Sequence, residues 1–125
     1  MESRKIVSIA ELMDRADAIK KRERRTAILE IVGFGSVKIV EPTKAIVDDS
    51  LKIEGEDGDA HLIAECIVAP SMKDPALLAK FGVPVADELV KVIFRQGDRA
   101  TMTRKILALG GYDGSGVKVI DDAKN

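Results

Sequence analysis

Apolar residues along this chain recur with two periods, and each change of period marks an element. Ile9, Leu12, Met13, Ala16 and Ile19 step by three and four residues, with Asp14, Arg15, Asp17 and Lys20 off the stripe; this predicts a helix from Ile9 with one buried face. Ser8 and Glu11 stand three apart, the spacing at which a hydroxyl caps a free helix N–H while the carboxylate reaches back to the cap. The period then shortens to that of a strand. Residues 27–32 (AILEIV) and 36–40 (SVKIV) are rich in β-branched side chains and joined by Gly33-Phe34-Gly35, which predicts a β-hairpin over residues 27–40. Pro42 has no N–H to give a ladder and ends the second strand, and Thr43 is placed to cap a helix through about Ile53.

Residues 54–59 (EGEDGD) are acidic and interrupted by glycine, which predicts an exposed loop with Asp59 capping the next helix. On that helix Ala60, Ile63, Cys66 and Ile67 share a face, and Pro70 stops it. Asp74-Pro75 is a cap followed by proline at the first helical position, and Gly82 stands where a left-handed closing residue is wanted. Pro84 opens a further helix through about Phe94, closed by Gly97. Asp98 caps the last helix, which runs to Leu109 and ends at Gly110-Gly111. The result is an α+β fold, a mostly helical single domain over residues 1–112 with one hairpin near residues 27–40. Residues 113–125 read as a flexible C-terminal tail, with a late strand at most.

Composition sharpens this. A chain of 125 residues supports one core, and 46% hydrophobic with only 3% aromatic residues makes that core aliphatic. A net charge of -1 gives no overall pull toward nucleic acid or an anionic membrane. Cys66 is the one cysteine, so an intramolecular disulfide and a four-cysteine zinc site are excluded, and a reducing cytoplasm is the easier setting. The opening MESRKIVSIA lacks the apolar run of a secretory signal, and no stretch approaches the roughly 18 apolar residues needed to cross a bilayer. A soluble intracellular protein is expected.

The chemistry-bearing residues do not assemble into a reaction centre. Placing Gly58 at the sixth position of a calcium loop puts apolar Ile53 at the first ligand position. Neither Gly33-Phe34-Gly35 nor the glycines of residues 110–116 continue into a phosphate-binding pattern. His61 and Cys66 stand five residues apart, off the three- or four-residue step of a same-face pair; they read as a helix-start histidine and a buried structural thiol. Residues 20–25 (KKRERR) form a basic cluster that complements a helix C-terminus and has no neighbouring aromatic residue for base stacking. No enzyme activity, metal or cofactor is expected. What remains is surface for another protein. The helix near residues 85–94 carries two apolar stripes, Val85-Leu89-Ile93 and Ala86-Val90-Phe94, where one core contact needs only one. Ala86, Val90 and Phe94 are therefore the candidate partner-binding residues, the alternative being a helix buried on two sides. Met102, Ile106 and Leu109 form a core-facing stripe on the last helix.

Across residues 62–113, a little under half the chain, these elements follow one another in a recognisable order. CIVAP at residues 66–70 is followed by MKDPALLAKFGV at 72–83, ADELVKVIF at 86–94, a glycine-containing break, and a closing helix ending LGGYD at 109–113. The order resembles the XkdN-like tail assembly chaperones of tailed phages and PBSX-type prophages. IVEPT at 39–43 fits the same family's strand-to-helix transition more weakly, whereas residues 1–25 carry little of its pattern. The resemblance implies a non-catalytic protein made in the bacterial host cytoplasm that binds the tape measure protein and keeps it soluble until tail tube protein replaces it. It also implies a tendency to form homo-oligomers; the balanced charge and the lack of a long apolar run argue against a membrane partner and disfavour nucleic acid. The competing reading is a small regulatory or nucleic-acid-associated adaptor using residues 20–25.

Overall fold

The computed structural model describes residues 5–120. In chain order the elements are α1 (Ile9–Asp14), α2 (Ala16–Lys21), β1 (Thr26–Ile31), β2 (Gly35–Val40), α3 (Lys44–Ile53), α4 (Gly55–Cys66), β3 (Ile67–Ala69), α5 (Pro75–Phe81), α6 (Ala86–Ile93) and α7 (Gln96–Leu109). The α+β expectation holds: helices pack on a small antiparallel sheet of order β1-β2-β3. Three helix starts and the end of α5 are set by caps the sequence announces. Ser8 and Glu11 close a capping box, Thr43 Oγ1 accepts from the Ile46 N–H at 3.2 Å, Asp74 Oδ1 accepts from the Leu77 N–H at 2.9 Å, and Gly82 is left-handed at φ 68°.

The hairpin pairs Ala27 with Ile39, Leu29 with Val37 and Ile31 with Gly35, so the inward positions of both strands share one face. Val37 and Ile39 are buried there, against a core that includes Leu62, Ile63 and Cys66 of α4, Leu89 and Val90 of α6, and Met102 and Ile106 of α7. Helix α4 is the hub, packing against α3, α6 and α7. Its approach to α3 depends on Gly58, where a Cβ would run into the Ser50 carbonyl oxygen. The closing LGGYD stretch has a similar requirement. A Cβ on Gly110 would lie 2.9 Å from the Tyr112 ring, and Gly111 has φ 79°.

Several expectations are corrected. Residues 55–59 are not a loop but the first turns of α4, and Asp59 lies within the helix rather than capping it. Glu56 and Asp57 sit where the helix dipole favours anions, and cations of the following helices hold them: Arg99 meets Glu56 at 3.0 Å and Lys91 meets Asp57 at 2.7 Å. His61 is likewise inside α4, not at its start, with Nδ1 at 3.0 Å from Asp87 Oδ2. Ile67 leaves the helix to begin β3, which pairs with β2 and adds a third strand to the expected hairpin. Gly97 does not close α6; it belongs to the first turn of α7, whose N-cap is Arg95 rather than Asp98. The buried face expected of the N-terminal helix is exposed: α1 and α2, separated at Arg15, bury no residue. The tail expected over residues 113–125 lies partly outside the described residues; 113–120 contain turns and no regular element.

Candidate protein-binding site

Helix α6 was the expected site, and its two stripes part differently from the expectation. Ala86, Val90 and Phe94 are 7%, 0% and 3% exposed, and Leu89 of the other stripe is also 0% exposed. The helix is buried on two sides because α4 and α5 both pack against it and the hairpin turn reaches its C-terminal end. As a free stripe, Ala86-Val90-Phe94 is therefore corrected to core. The three side chains do not form one surface. Ala86 edges a shallow cleft with Leu78, Pro84 and Val85, Val90 is sealed, and Phe94 backs a groove at the far end of the helix. The exposed apolar residues of this segment are Val85 and Val92.

That groove lies beside the hairpin tip, where two large apolar residues meet solvent, while Ile28 is exposed elsewhere on β1. Val32 is 92% exposed and Phe34 47% exposed at the tip, where Phe34 packs its ring 4.8 Å from that of Phe94 at an interplanar angle of 59°, a tilted arrangement that suits aromatic quadrupoles. Beside the rings, a cleft of about 360 Å³ is lined by Ile31, Val32, Phe34, Ile93 and Phe94, with Arg95 and Asp98 giving it a largely polar surface. It shares Ile31, Val32 and Asp98 with a second cleft of about 210 Å³, between β1 and α7, that adds Leu29, Met102 and Lys105. Because β1 pairs only with β2, its outer edge is open among the described residues. An open strand edge beside a groove with exposed apolar anchors is the kind of surface onto which another chain adds a strand or docks a helix. Sequence reasoning missed it. The signal that was available is the run Ile31-Val32-Gly33-Phe34, which puts two large apolar residues into a turn.

The groove keeps its shape through a buried polar tie. Arg99, 6% exposed, donates to the carbonyl oxygens of Lys91 and Phe94 at the end of α6 while its other nitrogen meets Glu56. One guanidinium thus joins α4, α6 and α7 immediately behind Phe94. Lys91 adds a second tie to Asp57, and this hydrogen bond, with that to Glu88, holds its pKa above the ordinary lysine value. Cys66 is sealed in the core and burial pushes its thiol up to about 11, which suits an inert packing residue rather than a nucleophile.

The basic cluster divides into two parts. Arg24 donates twice to the Glu41 carbonyl oxygen, at 3.0 and 2.7 Å, and Arg25 donates its backbone N–H and its Nε to the Glu41 carboxylate, at 2.7 and 3.2 Å. The Arg25 N–H bond is the main reason the Glu41 carboxyl lies below the ordinary value. Lys20, Lys21 and Arg22 make no ion pair with an acidic side chain among the described residues.

A family model, that of the phage XkdN-like tail assembly chaperone proteins, matches residues 39–124. The match covers well over half of the chain and begins within β2, so α1, α2, β1 and the hairpin turn precede it. No curated protein and no solved structure matches the chain.

Proposed function

The chain belongs to the phage XkdN-like tail assembly chaperone family, and from that premise we propose that it binds the tape measure protein in the host cytoplasm and keeps it soluble during tail assembly. It acts by covering surface and converts no compound. A tape measure protein is a long helical chain whose apolar faces need a partner until tube subunits enclose it. The chaperone offers the groove between β1, the hairpin tip and the α6–α7 junction as that temporary partner.

The observation that carries this reading is the pairing of family membership with an open strand edge flanked by half-exposed Phe34 and fully accessible Val32. Reversible cover suits such a surface, since a few large apolar anchors supply most of the binding energy of an interface and the rest of the contact adjusts around them. No helix among the described residues is long and apolar enough to cross a membrane.

The test is co-expression with the tape measure protein of the same phage or prophage. The wild-type chain is expected to move the client from the pellet to the soluble fraction and to copurify with it. Val32→Asp with Phe34→Asp should abolish that rescue while leaving helical circular dichroism intact. Rescue that persists in the double variant removes the groove from the proposal; a client that stays insoluble with the wild-type chain removes the proposal itself.

A further inference from the structure

We infer that the N-terminal arm, residues 6–25, is a second docking surface, and that its occupant is an amphipathic helix of the tape measure protein whose apolar stripe leads into an acidic run. The inference rests on the tape measure reading above and names the chemistry of the segment recognised.

The first observation is a face the fold does not use. Ile6, Ile9, Leu12 and Met13 are 88%, 78%, 49% and 71% exposed, and neither arm helix buries a residue. An ordinary surface helix turns such a stripe onto the core; this one is kept outward although its start is firmly capped by Ser8 and Glu11. The second observation is where the charge lies. Residues 5–25 hold seven cations and four anions, a net +3, whereas residues 26–125 hold twelve cations and sixteen anions, a net -4. The arm's excess positive charge collects at its far end, where Lys20 and Lys21 finish α2 and Arg22, Arg24 and Arg25 follow. There Arg22, Glu23, Arg24, Arg25 and Glu41 wall an open depression of about 560 Å³. Glu41 is engaged with Arg24 and Arg25, leaving Lys20, Lys21 and Arg22 with no acidic partner among the described residues.

Apolar side chains near residues 6–13 and cations at 20–25 set the pattern of the occupant. A helix lying along the arm buries its apolar stripe against residues 6–13 and presents carboxylates to the cations of residues 20–25. Phosphate surfaces fit less well. Residues 5–25 contain no aromatic side chain to stack on bases or to anchor at a lipid interface.

The full-length chain is titrated with a fluorescent helical peptide carrying a leucine stripe followed by a glutamate run, and with the same peptide carrying lysines in place of the glutamates. Vesicles containing phosphatidylglycerol and duplex DNA are titrated in parallel. The acidic peptide is expected to bind at least about tenfold tighter than its lysine counterpart. Leu12→Asp with Met13→Asp should remove that binding, and Lys20→Glu with Lys21→Glu and Arg22→Glu should reverse the preference, both without moving the thermal midpoint, because these side chains are exposed. Equal affinity for the two peptides, tighter binding to vesicles or DNA, or arm-dependent self-association that excludes the acidic peptide would overturn the inference. In the co-expression assay, arm variants that rescue the client as well as wild type sink the inference alone; failure of the wild-type chain sinks the broader reading instead.

Discussion

A handful of single positions decide how tightly this molecule is built, and they make measurable demands. Gly58 lets α4 lie against the Ser50 carbonyl of α3. Gly58→Ala must push backbone away from backbone, so a loss of about 1–3 kcal/mol in chemical denaturation is expected. On α6, two neighbouring valines differ in kind. Val90 is sealed and Val92 is 57% exposed. Val90→Asp buries an unpaired carboxylate and should cost about 3–5 kcal/mol, enough to unfold much of a marginally stable domain, while Val92→Asp should stay within about 0.5 kcal/mol by the same measurement. Cys66 carries a pH signature. Its thiol is raised from an ordinary 9.0 to about 11, so above pH 9 the unfolded chain releases a proton that the folded chain retains. Stability from this residue is therefore unchanged at lower pH and falls as pH rises from about 9 toward 11, by at most about 1.4 kcal/mol per unit. Comparing the pH dependence of unfolding in wild type and Cys66→Ala isolates that slope, and native protein should resist thiol reagents until it is unfolded.

At the scale of elements, the sequence is most legible where local chemistry alone sets the structure. The Ser8–Glu11 box, Thr43, Asp74-Pro75 and Gly82 mark real boundaries because a cap is satisfied by neighbours three or four residues away. The hairpin is legible for the same reason, its alternation and turn being contained in residues 26–40. Errors arise where a distant partner decides. Residues 55–59 look like a loop until Lys91 and Arg99, more than thirty residues away, are seen to neutralise Asp57 and Glu56. Strand β3 continues the apolar run of α4 with no turn residue between them, and only the free edge of β2 makes Ile67–Ala69 extend. The α6 stripes are both visible, but periodicity cannot say which of two adjacent faces meets solvent; here Leu89 and Val90 are both sealed, and only Val85, at the start of its stripe, is exposed. The candidate groove was illegible for the same cause, as it joins β1, the hairpin tip and α7 across the chain.

Viewed whole, the molecule separates a compact, net-negative body from a net-positive arm with an unsatisfied apolar face. The body carries the family pattern from residue 39 onward, and the arm stands before it. If the two surfaces act on one client, their contributions multiply through effective concentration rather than adding as separate contacts. Removing either should then weaken client retention by a larger factor in the full chain than its peptide affinity suggests, which pull-down at graded client concentrations measures. Raising ionic strength should weaken the arm's share and spare the groove's, because screening reduces the attraction between exposed charges and leaves apolar contact in place. The ring of Phe34 offers a way to watch this happen. The chain has no tryptophan, and Phe34 rests on Phe94 with half its surface in water, so an indole installed there would be the only strong emitter, with its colour reporting in real time whether the groove is wet or filled.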